Sequence, residues 1–265
     1  MTSRHTILVF DSGVGGLTVY REIVAARPDA DFVYVADDAG FPYGGLEERV
    51  LIARVVDLIG AMIEAHRPDL AVIACNTAST IVLPELRKQF ALPFVGTVPA
   101  IKPACAGSRT RRVSVLGTDA TVKREYTRTL IRDYAQDCVV TLVGSKRLAG
   151  YAEAELHGRP ASDEDIRAEI APCFRDDGAP TDTVVLACTH YPLLLDRFRA
   201  VAPWPVGYID PAPAIARRVV DLLGPQRPDT PNGSSRAVFT SGREADALVA
   251  RFDGRAPVEP ARLDG

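Results

Sequence analysis

Two stretches of the sequence decide the fold: Leu-Ala-Val-Ile-Ala-Cys at residues 70–75 and Val-Val-Leu-Ala-Cys at residues 184–188. Each is a short apolar run that closes in alanine and cysteine, a pattern typical of a strand buried in a parallel sheet. Each cysteine is therefore expected at the carboxyl end of its strand. Ligands of open α/β sheets bind beyond those ends, so both thiols are predicted to face a binding cleft.

The rest of the chain alternates strand and helix patterns. Strands are predicted at residues 6–10, 31–36, 70–74, 113–116, 138–143 and 183–187. Residues 47–65 repeat apolar positions every three or four residues and predict a core-packing helix. The stripe of that helix consists of Val50, Leu51, Arg54, Val55, Leu58, Ile59 and Met62. The alternation predicts an α/β fold with mainly parallel sheets.

The two halves of the chain share one layout. In the first half, predicted strands end at Asp11 and Cys75, and in the second half corresponding strands end at Thr118 and Cys188. Such a repeat is explained by two similar lobes related by a pseudo-twofold axis. The paired strand ends would then face each other across a cleft, where an active site is expected.

Composition restricts the class of partner. The chain has 265 residues, is 47% hydrophobic and carries 31 basic and 34 acidic residues, a formal charge of −3. Nucleic acid and membrane surfaces are not expected partners, because this balance produces no strong positive field. Five cysteines without regular spacing indicate reduced thiols, and no apolar run approaches the roughly 20 residues that span a bilayer. A cytoplasmic location is therefore expected.

Two thiols on opposite sides of a substrate suit inversion at a carbon centre, where one group removes a proton and the other delivers one from behind. A free thiol has a pKa near ~8.5, so a working thiolate needs a base or a positive charge beside it. Cys105, Cys138 and Cys173 are predicted instead to be small buried apolar residues.

Ionisable residues near the predicted strand ends are candidates to assist the thiols. Asp11 ends the first strand, and His190 lies two residues after Cys188, where an extended chain would turn both side chains to one face. Glu153 lies in a predicted helix, and its spacing alone does not distinguish it from Glu155. Neutral donors around the same cleft fit a small carboxylate; they are Ser12, Asn76, Thr77 and Thr189.

Four motifs together resemble the glutamate racemase family in order and spacing. They are Asp-Ser-Gly-Val-Gly-Gly-Leu-Thr at 11–18, Phe-Pro-Tyr-Gly at 41–44, Ala-Cys-Asn-Thr-Ala at 74–78 and Ala-Cys-Thr-His-Tyr-Pro at 187–192. The resemblance extends from about Ile7 to Gly242, and the paired cysteine motifs are its specific part. Two residues depart from the family pattern, because many members carry threonine at the position of Asp38 and arginine at that of Gly40.

The resemblance implies a fold, a reaction and a set of site residues. It implies a first α/β lobe of residues 1–98 and 207–265 and a second of residues 99–206. It implies interconversion of L- and D-glutamate by two-cysteine proton transfer without cofactor or metal, supplying D-glutamate for peptidoglycan synthesis. The implied acid/base residues are Cys75 and Cys188, assisted by Asp11, Glu153 and His190. The implied substrate contacts are Asp11, Ser12, Tyr43, Gly44, Asn76, Thr77, Thr189 and His190. A homodimer is the default expectation.

Four alternatives remain at the level of sequence, one of which is a purely structural role of the two cysteines. A related enzyme of similar layout could act on aspartate, a hydantoin or maleate. A nucleotide-binding module is a second, because Gly13-x-Gly15 follows a strand and Asp37 comes about 20 residues later, although Thr18 stands where the third glycine belongs. A metal site using Cys75, Cys188 and His190 is a third, but it lacks a close pair such as Cys-x-x-Cys.

Overall fold

The structure is a computed structural model that describes residues 4–226, 230–243 and 246–253. Its strands are β1 Thr6–Asp11, β2 Asp31–Ala36, β3 Leu70–Ile73, β4 Phe94–Gly96, β5 Arg112–Thr118, β6 Val139–Ser145, β7 Thr183–Ala187, β8 Gly207–Ile209 and β9 Ser235–Phe239. Its α-helices are α1 Leu17–Ala26, α2 Glu48–His66, α3 Asn76–Gln89, α4 Ile101–Gly107, α5 Asp119–Lys123, α6 Glu125–Tyr134, α7 Leu148–Leu156, α8 Asp163–Ile170, α9 Leu195–Val201, α10 Ala212–Leu223 and α11 Asp246–Ala250.

Parallel pairing arranges the strands in two sheets. The first has the order β4-β3-β1-β2-β9 and the second β6-β5-β7-β8, and the pairings between these strands are parallel. Apart from β9, the two sheets have the same plan, with β1 and β5 in equivalent places and β3 and β7 in equivalent places. The predicted α/β fold with two similar lobes is confirmed.

The predicted strands are all present, but three observed strands had no counterpart in the prediction. β4 and β8 are only three residues long, and β9 is half-exposed at the edge of its sheet. A short edge strand contributes few buried apolar residues, so it leaves little pattern in a sequence.

The chain crosses between the two sheets twice. It leaves the first sheet after β4 and returns after β8. The expected return at residue 207 is too early, because Gly207 pairs with Thr183 of the second sheet. The next helix, α10, packs against α1 of the first lobe. Residues 1–3, 227–229, 244–245 and 254–265 of the expected first lobe lie outside the described residues.

The helix predicted at residues 47–65 is α2, which ends where Arg67 adopts a left-handed conformation with φ 45°. Leu51, Val55 and Ile59 of its predicted stripe are fully buried. Val50 was placed wrongly, because its side chain is 45% exposed. Arg54 does lie on the inner side of the helix, but it contacts a buried carboxylate and not the apolar core.

Alternate residues of each strand face opposite sides of its sheet, so each lobe has an apolar core on both faces. In the first lobe Ile7 and Val9 belong to one core and Leu8 and Phe10 to the other. The second lobe has the same two-sided arrangement around β5 and β7. Within the described ranges, no helix is long and apolar enough to cross a membrane.

Candidate active site

Four equivalent strand ends meet in the cleft between the lobes. In the first lobe, β1 ends at Asp11 and β3 leads into Cys75. In the second lobe, β5 ends at Thr118 and β7 leads into Cys188. The chain repeat therefore places one thiol from each lobe in a common site, as the sequence predicts for two cysteines at carboxyl strand ends.

The first thiol, Cys75, is buried and lies directly before helix α3. Its Sγ lies 3.6 Å from Ser12 Oγ, a hydrogen-bonding contact between the thiol and the hydroxyl. Burial, and then the negative charge of Asp11, raise the pKa of Cys75 to about 12, although Ala78 N–H and Ser12 oppose the shift. At neutral pH Cys75 therefore carries its proton and can donate it.

The second thiol, Cys188, begins a short chain of ionisable groups. Its Sγ lies 3.9 Å from His190 Nδ1, and His190 Nε2 lies 3.0 Å from Glu153 Oε1. The same carboxylate oxygen accepts a 2.9 Å hydrogen bond from the backbone N–H of Val14 in the first lobe. Glu153 thus orients the imidazole and also links the two lobes.

The charges on this second side support one another. Burial lowers the pKa of His190, but the hydrogen bonds to Cys188 and Glu153 outweigh it and raise that pKa to about 10. Burial raises the pKa of Glu153, but the hydrogen bond and the charge of His190 outweigh it and leave that pKa below its usual value. An imidazolium therefore sits beside Cys188 at neutral pH, and such a cation stabilises a thiolate.

His190 reaches Cys188 by a different route from the one predicted. The prediction assumed that the chain stays extended after Cys188. Instead β7 ends at Ala187, His190 has helical dihedral angles, and a 3₁₀ turn follows from Tyr191 to Leu194. The side chains meet because the chain turns, and not because they alternate along a strand.

The structure separates Glu153 from Glu155, which the sequence could not do. Both lie on α7, but only Glu153 faces His190. Glu155 instead forms an ion pair with Arg197, with 2.8 Å between Glu155 Oε2 and Arg197 Nη1. The geometry therefore associates Glu153, and not Glu155, with the second thiol.

Asp11 lies fully buried at the base of the cleft. Its carboxylate accepts hydrogen bonds from Gly13 N–H at 3.1 Å and from Thr189 Oγ1 of the other lobe at 3.1 Å. Burial raises the pKa of Asp11 above its usual value, although the charge of His190 opposes this. The influence of Asp11 on Cys75 is electrostatic.

The predicted substrate contacts fall into two groups. Asn76 is buried, and neither its amide nitrogen nor its oxygen has a hydrogen-bond partner within the described part of the chain. Thr77 Oγ1 lies 3.2 Å from Thr118 Oγ1 and 3.5 Å from Thr121 Oγ1. These polar groups are available to a bound molecule. By contrast, the hydroxyl of Tyr43 is already used, since it donates to Asp37 Oδ2 at 2.5 Å.

A cavity of about 420 Å³ opens at the mouth of the cleft. Gly44 lines it from the first lobe, and Thr118, Ser145 and Lys146 line it from the second. Thr118 and Thr121, whose hydroxyls lie near Thr77, were not among the predicted site residues. The signal was available for Thr118, because this residue ends the strand that corresponds to the one ending at Asp11.

Known proteins resemble this chain over nearly its whole length. Residues 7–219 match the family model described as Asp/Glu/Hydantoin racemase. The glutamate racemase of Brucella anthropi is 55% identical over 254 residues, covering 94% of this chain and 91% of the relative. That of Mesorhizobium japonicum is 56% identical, covering 94% and 96%. The crystal structure of Escherichia coli glutamate racemase with L-glutamate and the activator UDP-MurNAc-Ala is 41% identical, with a TM-score of 0.83 over 94% of this chain and 96% of that one. The chain belongs to the Asp/Glu/hydantoin racemase family and, within it, to the glutamate racemases.

Proposed function

We propose that this chain interconverts L- and D-glutamate by proton transfer between two cysteines, without a cofactor. The observation that carries the proposal is the placement of Cys75 and Cys188 at equivalent strand ends of opposite lobes, each with its own ionisable neighbour. Inversion at the α-carbon requires a base on one face and an acid on the other. The two lobes supply one sulfur each.

The resting charges suggest how a turnover begins. Cys188, next to the His190 imidazolium, serves as the thiolate that removes the α-proton. Cys75, whose raised pKa keeps it protonated, delivers its proton to the opposite face of the carbanion. Both thiols exchange these roles when the enantiomer is converted back. Glu153 holds the imidazole in place throughout.

Binding of glutamate is assigned to polar side chains beside the two thiols; of these, the Asn76 amide has no hydrogen-bond partner within the described residues, and the Thr77 and Thr118 hydroxyls contact each other. The amide of Asn76 and the hydroxyls of Thr77 and Thr118 offer donors for a carboxylate. Charge that develops on the α-carboxylate during proton removal is stabilised by such preorganised donors. Ser12, Gly44 and Thr189 complete the proposed set, and Tyr43 contributes through its backbone because its hydroxyl is bound to Asp37.

The geometry argues against a nucleotide-binding module. Asp37, the residue that would bind a ribose, is fully buried and accepts hydrogen bonds from Tyr43 and Arg54. Gly15 lies so close to His190 that a Cβ there would overlap the imidazole ring. The glycine-rich turn is therefore filled by protein groups at the place where a pyrophosphate would bind.

The decisive test is deuterium incorporation at the α-carbon of L- and D-glutamate in heavy water, without added cofactor. Exchange with inversion is expected in the wild type and severe loss of racemisation in Cys75→Ser and in Cys188→Ser. Cys138→Ser is the matched control, because this half-buried thiol contacts the Cys105 carbonyl oxygen and not the cleft groups. Exchange of aspartate in place of glutamate would overturn the substrate assignment.

Three wider assignments accompany the proposal. The D-glutamate product would supply peptidoglycan synthesis, and a cytoplasmic location fits that use. The chain is proposed to consist of two structural domains, the first and second lobes, with the active site in the cleft between them. A homodimer stays a prediction, which sedimentation equilibrium can check.

A further inference from the structure

We propose that Arg54 is a positioning residue, which acts through the Asp37 carboxylate to hold the Tyr43–Gly45 turn against the substrate cleft. Arg54 lies on α2 and touches neither thiol. The inference rests on the proposed racemisation only for its kinetic consequence, because the order of the turn can be measured without any substrate.

The first step of the argument is the position of Asp37. This residue directly follows β2, and its backbone N–H donates a 2.9 Å hydrogen bond to the carbonyl oxygen of Asp11. The Asp37 side chain is fully buried. A buried carboxylate is costly unless its oxygens are hydrogen-bonded and its charge is balanced. Asp37 therefore requires partners, and they decide what is fixed around it.

Arg54 supplies the balancing charge. Its Nε lies 2.5 Å from Asp37 Oδ2 and its Nη2 lies 2.6 Å from Asp37 Oδ1, so the guanidinium binds both oxygens. Such bidentate pairing fixes orientation as well as charge, and a lysine cannot reproduce it. Together with Tyr43 and Thr240, Arg54 offsets the effect of burial, so the pKa of Asp37 lies below its usual value.

The Asp37 carboxylate also holds the Tyr43–Gly45 turn in place. Tyr43 is almost fully buried and donates its hydroxyl to Asp37 Oδ2. The next residue, Gly44, lines the cleft cavity and lies opposite Thr118 of the second lobe. The hydrogen bond from the Tyr43 hydroxyl thus connects the Asp37 carboxylate to the Tyr43–Gly45 turn at the mouth of the cleft.

Gly40 belongs to the same arrangement. A Cβ at this position would lie 2.6 Å from Arg54 Nε and 2.8 Å from Asp37 Oδ2. The guanidinium therefore occupies the space beside residue 40, and only glycine leaves that space open. Gly40→Ala is expected to displace Arg54 while leaving every charge of the network in place.

Kinetics of glutamate racemisation provide the first test. Loss of turn positioning removes binding made equally in the ground and transition states, so KM should rise while kcat changes little. Arg54→Ala is expected to raise KM roughly tenfold or more, and Arg54→Lys and Gly40→Ala are expected to raise it less. Arg49→Ala is the matched control, because Arg49 lies on the same helix with an exposed side chain. An unchanged KM in Arg54→Ala would overturn the proposal.

Chemical rescue separates positioning from a general loss of fold. The Arg54 side chain is 39% exposed, so its removal leaves a pocket that a small cation can enter from solvent. Millimolar guanidinium chloride is expected to lower the KM of Arg54→Ala towards the wild-type value, whereas sodium chloride at equal ionic strength does not. Rescue by sodium chloride to the same extent would overturn the bidentate role.

Hydrogen exchange of the free protein provides a test that needs no substrate. In the wild type, Leu46 N–H bonds the Tyr43 carbonyl and Gly40 N–H bonds the Asp37 carbonyl. Faster exchange in peptides spanning 37–46 is expected in Arg54→Ala and Gly40→Ala, with no change in Arg49→Ala. Unchanged exchange would overturn the proposal even if glutamate is the substrate. Faster exchange in a protein inactive on glutamate would sustain the positioning role and overturn the proposed function instead.

Discussion

The two thiols differ in their immediate neighbours at the scale of single residues. Cys75 lies near the Ser12 hydroxyl and the buried Asp11 carboxylate. Cys188 faces the His190 imidazole, which Glu153 orients. A carboxylate near a thiol favours the protonated form and an imidazolium favours the thiolate. The two thiols therefore have different electrostatic surroundings, although the strands that carry them are equivalent.

Replacement of Glu153 tests the orienting role at this scale. Glu153→Gln removes the negative charge that keeps His190 protonated, so kcat is expected to fall roughly 10²-fold, within the range of general acid–base effects. Glu155→Gln is the matched control, because Glu155 pairs with Arg197 and not with His190. Initial rates in both directions, measured by circular dichroism, check the difference. Equal losses in the two variants would contradict the assignment.

His190 should also leave a mark on the pH dependence of stability. Its pKa in the folded protein is about 10, whereas a histidine in the unfolded chain has a pKa of about 6.5. The folded state therefore holds the proton more tightly. The resulting stabilisation is fully present below about pH 6.5 and is lost as the pH rises through about 10.

Urea unfolding of the wild type and of His190→Gln, between pH 6 and pH 10.5, measures this effect. The difference between their free energies of unfolding is expected to shrink steadily as the pH rises. The comparison of two proteins cancels the titration of the other cysteines, tyrosines and lysines. A difference that stays constant with pH would show that folding does not raise the pKa of His190.

At the scale of structural elements, the turn between β1 and α1 brings the lobes close together. A Cβ on Gly13 would overlap Glu153 Oε1, and a Cβ on Gly15 would lie 2.6 Å from the Cγ atom of His190. The glycines are thus required by close approach to groups of the second lobe. Close packing between the lobes therefore accounts for the glycine-rich turn without a bound nucleotide.

Gly15→Ala tests this account. The added methyl group must displace the imidazole from its position 3.9 Å from Cys188 Sγ, and displacement of a catalytic group by about 1 Å can cost on the order of 10²-fold in rate. Gly107→Ala is the control, because Gly107 ends α4 and a Cβ there has no atom within 4 Å among the described residues. Racemisation rates, together with melting curves to confirm folding, provide the measurement. Wild-type activity in Gly15→Ala would contradict the close-approach argument.

The elements also show what a sequence can and cannot predict. Strands such as β1 and β7 are buried along nearly their whole length, so they could be predicted from their apolar runs in the sequence. The strands β4 and β8 are too short to produce a run. The pairing of Cys188 with His190 was predicted from the wrong backbone geometry, because a turn after a strand depends on tertiary contacts. The Arg54–Asp37 pair was missed, although an arginine within an apolar stripe indicates a buried anion.

At the scale of the whole molecule, polar contacts join the two lobes across the cleft. The buried members of each apolar cluster come from a single lobe. Across the cleft, Asp11 meets Thr189 and Glu153 meets Val14, while at the rim Arg124 pairs with the exposed Glu48. Exposed ion pairs contribute about 0–1 kcal/mol each. A substrate bound between the lobes should therefore add substantially to the contacts that hold them together.

Ligand-induced stabilisation tests this arrangement without turnover. In Cys75→Ser/Cys188→Ser, D-glutamate is expected to raise the unfolding midpoint in proportion to RT ln(1 + [L]/Kd), which is about 2.7 kcal/mol at a hundredfold excess over Kd. D-Aspartate is shorter by one methylene and cannot span the same donors, so its effect should be much smaller.

Asn76→Ala in the same background removes an amide that has no partner within the described residues. It should therefore weaken the response to D-glutamate while leaving the ligand-free midpoint nearly unchanged. Equal stabilisation by both amino acids would mean that the cleft does not select for glutamate, and a response that survives Asn76→Ala would place the bound carboxylates elsewhere in the cleft.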